Sequence, residues 1–299
     1  MRWIMGYCSR TWKNMMKYRI AYLWVGPFVI LFLLFWAWPI IFSFTLSLYR
    51  WELIGDPTFI GFQNFKNLIF DQYYWTALWN TLYYWIIIVP PRTFFALVLA
   101  AILNSPYVHG KKFFRAIIVL PFMTAPIFVA LLFKVLLADG GGWINVALER
   151  FFNLPSIPWL TSESWSKISV SLVEHWNQLG FFMLILLGGL QKIPRDLYEA
   201  STIDGATAIR SFISITVPLM LPIVAFVTIT STIEIFALLE APLLLTEGGP
   251  GVSSTTLTLR LWRNAFDYFK LGYASAYAVI IFLLVMSLSI IQLRVLKSR

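Results

Sequence analysis

The sequence predicts an all-α integral membrane protein with six transmembrane helices and a short helix on one membrane face between the fourth and the fifth. Three observations carry this prediction. The 299 residues are 59% hydrophobic and only 12% charged, about half the charged share of a soluble domain. Apolar runs of about 20 residues, long enough to cross a hydrocarbon core, recur six times along the chain. The Lys and Arg residues also fall mainly in alternate connecting segments, the pattern that fixes helix orientation.

The runs cover residues 20–44, 75–103, 116–138, 168–190, 216–239 and 271–293. The first comes after a basic stretch of 19 residues and is too long for the apolar part of a signal peptide, so it reads as a retained helix. Pro39, Pro90, Pro91, Pro121 and Pro126 fall inside runs and predict kinks that neighbouring helices accommodate. Aromatic residues, with 14 Trp, 13 Tyr and 26 Phe, gather at run ends such as "WAWPIIFSF" and "DQYYW", where amphipathic rings sit at headgroup depth.

The connecting segments set the orientation. Segments 1–19, 104–115, 191–215 and 294–299 hold five, three, three and three Lys or Arg residues. The longer segments 45–74, 139–167 and 240–270 hold two, two and three. The first set is therefore expected in the cytoplasm, with both termini, and the second outside a bacterial-type plasma membrane. The chain divides into a cytoplasmic N-terminal segment (1–19), one membrane domain (20–293) and a cytoplasmic tail (294–299). The outer segments, broken by "LADGGGWIN" and "TEGGPGVSS", read as loops and short surface helices.

Several functions are excluded on composition. Cys8 is the single cysteine, which rules out an intrachain disulfide, and with only His109 and His175 beside it there is no metal-ligand cluster and no resident cofactor to expect. The net charge of +9 is accounted for by bases flanking membrane runs, so nucleic acid is not an expected partner. No G-x-x-x-x-G-K-[ST], G-x-S-x-G or H-E-x-x-H occurs, so neither ATP hydrolysis nor membrane hydrolase chemistry is encoded, and any ATP-derived energy has to come from another chain.

The polar stretch "YEASTIDGATAIRSFISITVPLMLP" interrupts the apolar pattern between the fourth and fifth runs. Pro194 ends the fourth run's continuation, and Asp196 to Glu199 has the spacing of a capping box, which predicts a helix of about two turns. Asp204-Gly205 breaks it, Gly205 by tolerating positive φ and Asp204 by capping the segment beyond the break. Ile209, Phe212, Ile213 and Thr216 then recur at helical spacing, with Pro218 and Pro222 in the first turns of the fifth span. Read locally, Glu199 is a capping acid and Gly205 a helix stop.

Glu-Ala-Ser at 199–201, Gly205, Ile215 and Val217-Pro218 closely resemble the "EAA" loop of ABC importer permeases, with Ser201 in place of the second Ala and Val217 in place of Leu. "FIGFQNF" at 59–65, "GGLQKIPRDLYEAS" at 188–201, "TEGGP" at 246–250 and "LGYASAYA" at 271–278 resemble segments of the maltose-type, carbohydrate-importing permease family in the same order. The resemblance implies that the loop is a coupling helix docking in a cleft of a cytosolic ATPase, with Glu199, Ala200, Ser201, Asp204 and Gly205 in the contact. It also implies a second permease subunit, two ATPase subunits that carry the ATP and Mg, an extracytoplasmic solute-binding protein and a carbohydrate substrate.

Four ionisable residues fall within the runs: Arg92, Lys134, Glu174 and Glu234. Lys134 lies near the outer end of its run, placed to snorkel. Arg92 is nearer the inner half of the second span, whereas Glu174 and Glu234 lie towards the outer ends of the fourth and fifth, so depth does not favour an Arg–Glu pair. Glu234, with Asn177 and Gln178, either lines a solvated sugar path or makes structural hydrogen bonds to other helices. An ion-coupled carrier or channel is the alternative function; such carriers place a titratable acid near the midplane, and the acids here lie towards the outer ends.

Overall fold

The computed structural model describes residues 19–297. The basic segment 1–18, which holds Cys8, and residues 298–299 lie outside the described residues. Of the described helices, five are long and apolar enough to cross a membrane, or six when one bent pair counts as a single span.

Helix α1 (Arg19–Phe32) and helix α2 (Trp38–Leu46) form one span through a π-turn at Leu33–Ala37. Pro39 lacks the N–H that an α-helix needs, and the wide turn just before it absorbs the misfit. The apolar side chains of this span are largely exposed, and it reaches the rest of the bundle through Phe44, edge-on to Phe282 at 5.7 Å. A two-stranded antiparallel hairpin, β1 (Tyr49–Arg50) and β2 (Thr58–Phe59), leads to α3 (Gln63–Phe70).

Helix α4 (Gln72–Asn104) is the central pillar. Its 33 residues extend about 50 Å at 1.5 Å per residue, and it contributes to all three buried apolar clusters. Tyr84, Ile88 and Val89 meet the third and fourth spans; Ala96, Ala100 and Leu103 meet the fourth and fifth; Tyr74 and Ala77 meet the sixth. Pro90 and Pro91 sit inside it without ending it.

The third span is not one rod. It consists of α5 (Lys111–Met123) and α6 (Pro126–Leu136), which meet at 95°. The expected kink is thus a near right angle. Its cause is Pro126, which forces the preceding Ala125 out of the helical region to ψ 133°. At the break the Pro121 carbonyl accepts from the Thr124 N–H and also from the Asn177 amide of the fourth span.

Beyond α7 (Trp143–Phe152) comes the fourth span, α8 (Glu163–Leu190). Gly180 lets α8 approach α5 backbone to backbone, since a Cβ there would collide with the Ile118 carbonyl. Helix α9 (Arg195–Ile203) and the single turn α10 (Ala208–Ser211) precede the fifth span, α11 (Val217–Phe236). A π-turn at Phe212–Thr216 joins α10 to α11, ending two residues before Pro218, as happens before Pro39.

The segment after α11 departs from the expectation of surface loops. It comprises α12 (Glu240–Leu245), a loop over residues 246–256, and α13 (Leu257–Trp262). Ser254, Thr255 and Thr256 are fully buried, and non-helical backbone is tolerated there because side chains satisfy it. Asn80 of α4 donates to the Val252 and Thr255 carbonyls, and Tyr84 donates to Ser254 O. Lys134, half-exposed, stands 3.7 Å from Glu247 of this loop. A third π-turn, Arg263–Asp267, leads to the sixth span, α14 (Leu271–Lys297).

Candidate functional site

Two places in the fold gather polar residues that span packing does not require. The first is the 191–216 protrusion. Helix α9 starts after Pro194, the N-cap, whose side chain has no oxygen to offer. The capping box is therefore not formed: Asp196 stands two positions past the N-cap, where its charge favours the N-terminal dipole instead. The C-terminus agrees with the sequence more closely. Gly205 has φ +75°, its N–H donates to Thr202 O at 3.0 Å, and Ala206 N–H donates to Ser201 O at 3.0 Å. This is the paired closure that a left-handed residue makes possible. Capping of the next turn falls to Thr207 rather than Asp204, its hydroxyl accepting from Arg210 N–H.

Helix α9 is fastened to the start of the fifth span by two hydroxyl pairs, Ser201 with Ser211 and Tyr198 with Thr216, the latter at 2.7 Å. Ser201 is thus buried, while Glu199, Ala200, Asp204 and Gly205 are exposed. So are Ile203 and Ile209, at 87% and 74% of their full accessibility. The protrusion therefore presents small, acidic and apolar groups together on a face with no covering segment among the described residues.

The second place is a buried ion cluster joining α4, α8 and α11. Arg92 is fully buried. Its Nη1 donates to Ser231 Oγ at 3.1 Å and to Glu234 Oε2 at 3.2 Å; its Nη2 donates to Glu174 O at 3.2 Å and lies 3.8 Å from Glu174 Oε2. The Phe182 ring lies under the guanidinium at 5.4 Å. The expectation that depth keeps Arg92 from the acids is corrected. Arg92 lies about 18 Å from the Asn104 end of α4 and Glu174 about 24 Å from the adjacent Leu190 end of α8, a gap that an Arg stem covers. Side chains lean towards their helix N-termini, so Arg92 and Glu234, on oppositely running helices, lean towards each other.

Of the residues suggested for a solute path, Glu234 is a third exposed. Asn177 is buried, and its amide donates to Pro121 O at 3.0 Å, where the bent third span breaks. Gln178 donates to Asn177 Oδ1, leaving its own Oε1 buried without a partner. Among the described residues no cluster of His, Cys, Asp or Glu could hold a metal ion.

Comparison with known proteins gives a consistent pattern. Residues 92–298 match the family model described as the binding-protein-dependent transport system inner membrane component. The sulfoquinovosyl glycerol transport system permease protein SmoG of Agrobacterium fabrum is 33% identical over 96% of this chain and 94% of its own length. The lactose transport system permease protein LacF of Rhizobium radiobacter is 34% identical over 93% of this chain and 94% of its own. In fold, the chain superposes with a TM-score of 0.83 on a chain of a bacterial alginate ABC transporter solved with an alginate pentasaccharide-bound periplasmic protein, at 23% identity over 95% of this chain and 96% of that one.

Proposed function

The chain belongs to the family of binding-protein-dependent transport system inner membrane components, and from that premise we propose that it is a permease subunit of an ATP-driven importer whose 195–205 protrusion takes up the movement of an ATPase. The substrate is a carbohydrate delivered by an extracytoplasmic binding protein. A second permease completes the path, and two ATPase chains carry the ATP and Mg. The sugar-related names of relatives at 33% and 34% identity support the substrate class. Family membership sets aside the ion-coupled carrier, as does the pairing of both membrane acids with Arg92.

One observation carries the coupling role. Helix α9 is exposed on its outer face, yet fixed by Ser201 and Tyr198 to the first turns of the fifth span. A push on Glu199, Ala200 or Asp204 is therefore transmitted to α11 rather than absorbed by a flexible loop, while small Ala200 permits close approach and buried Ser201 serves the fastening. Glu199→Lys reverses the exposed charge. Gly205→Pro removes the N–H bonded to Thr202 O and demands φ near −65° where the chain has +75°. Both variants should reach the membrane at near-normal levels and lose ATP-driven sugar uptake in cells. Normal uptake by either one sinks the assignment.

On the solute side we propose that Glu234 lines the path together with Gln178, and that Asn177 holds the wall. Glu234 keeps one-third of its side chain exposed while bonded to Arg92, a geometry that leaves one carboxylate oxygen for a sugar hydroxyl.

A further inference from the structure

A polar cleft of about 440 Å³ lies at the end of the bundle away from α9, between the β-hairpin, α3, the π-turn after α13, and the start of α14. Arg50, Arg260 and Lys270 line it together with two acids, Glu52 and Asp71, which leaves one cation in excess. The acids do not balance the cations evenly. Asp71 is committed to the fold: it caps α4 by accepting from Tyr73 N–H at 2.8 Å and accepts from Tyr273 OH at 3.0 Å. Its contact with Arg260 Nη2 is 3.8 Å, an ion pair beyond hydrogen-bond distance.

Arg260 is left short of acceptors. Its Nε is buried without a hydrogen-bond partner, although the Tyr277 hydroxyl beside it interacts with the guanidinium. The guanidinium lies over the Tyr73 ring at 4.9 Å, which fixes its plane. A fork of donors held against an aromatic face, with Arg50 and Lys270 as exposed point charges nearby, matches the geometry of oxyanion recognition.

The setting points to the source of the anion. Next to the lining residues in the chain, Phe70, Tyr73, Trp75, Phe266 and Phe269 are all exposed, an aromatic belt of the kind found at headgroup depth. We propose that the cleft binds a phosphate-type oxyanion at the membrane surface, the phosphodiester of an anionic lipid headgroup, with Arg260 as the fork and Arg50 and Lys270 as supporting charges. The site is independent of what the permease carries.

The test uses the purified full-length chain in a neutral detergent. Thermal unfolding is measured against short-chain phosphatidylglycerol, against phosphatidylcholine of the same chain length, and against inorganic phosphate. The expected result is stabilisation at lower concentrations of phosphatidylglycerol than of phosphatidylcholine. Arg50→Gln and Lys270→Gln, exposed changes that leave the packing alone, should each raise the half-saturating phosphatidylglycerol concentration about fivefold, and Arg260→Gln should raise it further. Stabilisation by inorganic phosphate that the same variants weaken supports the oxyanion site and gives it a soluble source. No preference for phosphatidylglycerol together with no response to phosphate overturns the proposal, as does a preference that all three variants leave unchanged.

Discussion

At the scale of single residues, Arg92 is surrounded by more acid than it neutralises, because Glu174 and Glu234 both lie within 4 Å of its guanidinium, at 3.8 and 3.2 Å. A buried pair gains little over an apolar replacement of both partners, but removing one partner leaves the other charge stranded, at about 3–5 kcal/mol. Arg92→Leu should therefore lower the unfolding temperature of the detergent-solubilised protein sharply, and Arg92→Lys should do so less, since an ammonium keeps the charge but not the fork. Adding Glu234→Leu to Arg92→Leu should recover part of the loss. If Arg92→Leu is as stable as the parent, the cluster does not hold the three spans together. Glu234→Gln keeps an acceptor for Arg92, so its effect reports on solute more than on folding. It should alter the concentration dependence of sugar uptake while leaving protein levels near normal, and unchanged uptake kinetics remove Glu234 from the path. The sequence shows these charges and their approximate depths. Their meeting was not legible from it, because that depends on the lean of each side chain and on which faces of α4, α8 and α11 turn together.

At the scale of elements, the protrusion was legible where its signals are local. Pro194 and Gly205 bracket a helix because each restricts or frees its own backbone, and no neighbour is needed to see that. The N-terminal cap differs from expectation for a related reason. A capping box requires its acid at a particular position, and Pro194 starts α9 so that Asp196 falls inside. The buried loop 246–256 was not legible as such, since Ser, Thr and Gly score as surface residues although hydroxyls and Asn80 amide protons satisfy this backbone in the interior. Two glycines separate conformational from steric demands. Gly205→Ala places a Cβ at φ +75° in open space, and the left-handed penalty of about 1–2 kcal/mol falls on the α9 turn alone. Gly180→Val meets the Ile118 backbone and cannot be relieved by a rotamer change. The expected outcome is mild loss of uptake for Gly205→Ala with normal membrane levels, against poor accumulation of Gly180→Val. Equal accumulation of the two would mean that α5 and α8 do not depend on close approach.

At the scale of the whole molecule, hydropathy alone located the spans, because a run of apolar residues long enough to cross the bilayer needs no partner to be recognised; it could not show that Pro126 turns the third span through 95°. That angle bears on orientation. The Asn104 end of α4 and the Leu190 end of α8 lie together, so these two helices run parallel and the bent third element between them has to cross, with α9 and the Gln72 end of α4 on opposite sides. The Lys and Arg distribution favours a crossing, since segments 104–115 and 139–167 differ in basic density, with three in the shorter segment and two in the longer. Cys8 is the single cysteine, so one substitution, Cys8→Ser, gives a background free of thiols. On that background Asp204→Cys, on the exposed α9 turn, and Ser156→Cys, an exposed position between α7 and α8, place one thiol on each proposed side. In intact cells a membrane-impermeant maleimide should label Ser156→Cys and spare Asp204→Cys until the membrane is opened. The reverse pattern would put α9 outside and remove it from the cytoplasm, and with it the coupling role; labelling of both from outside would mean that α8 does not cross between the two positions.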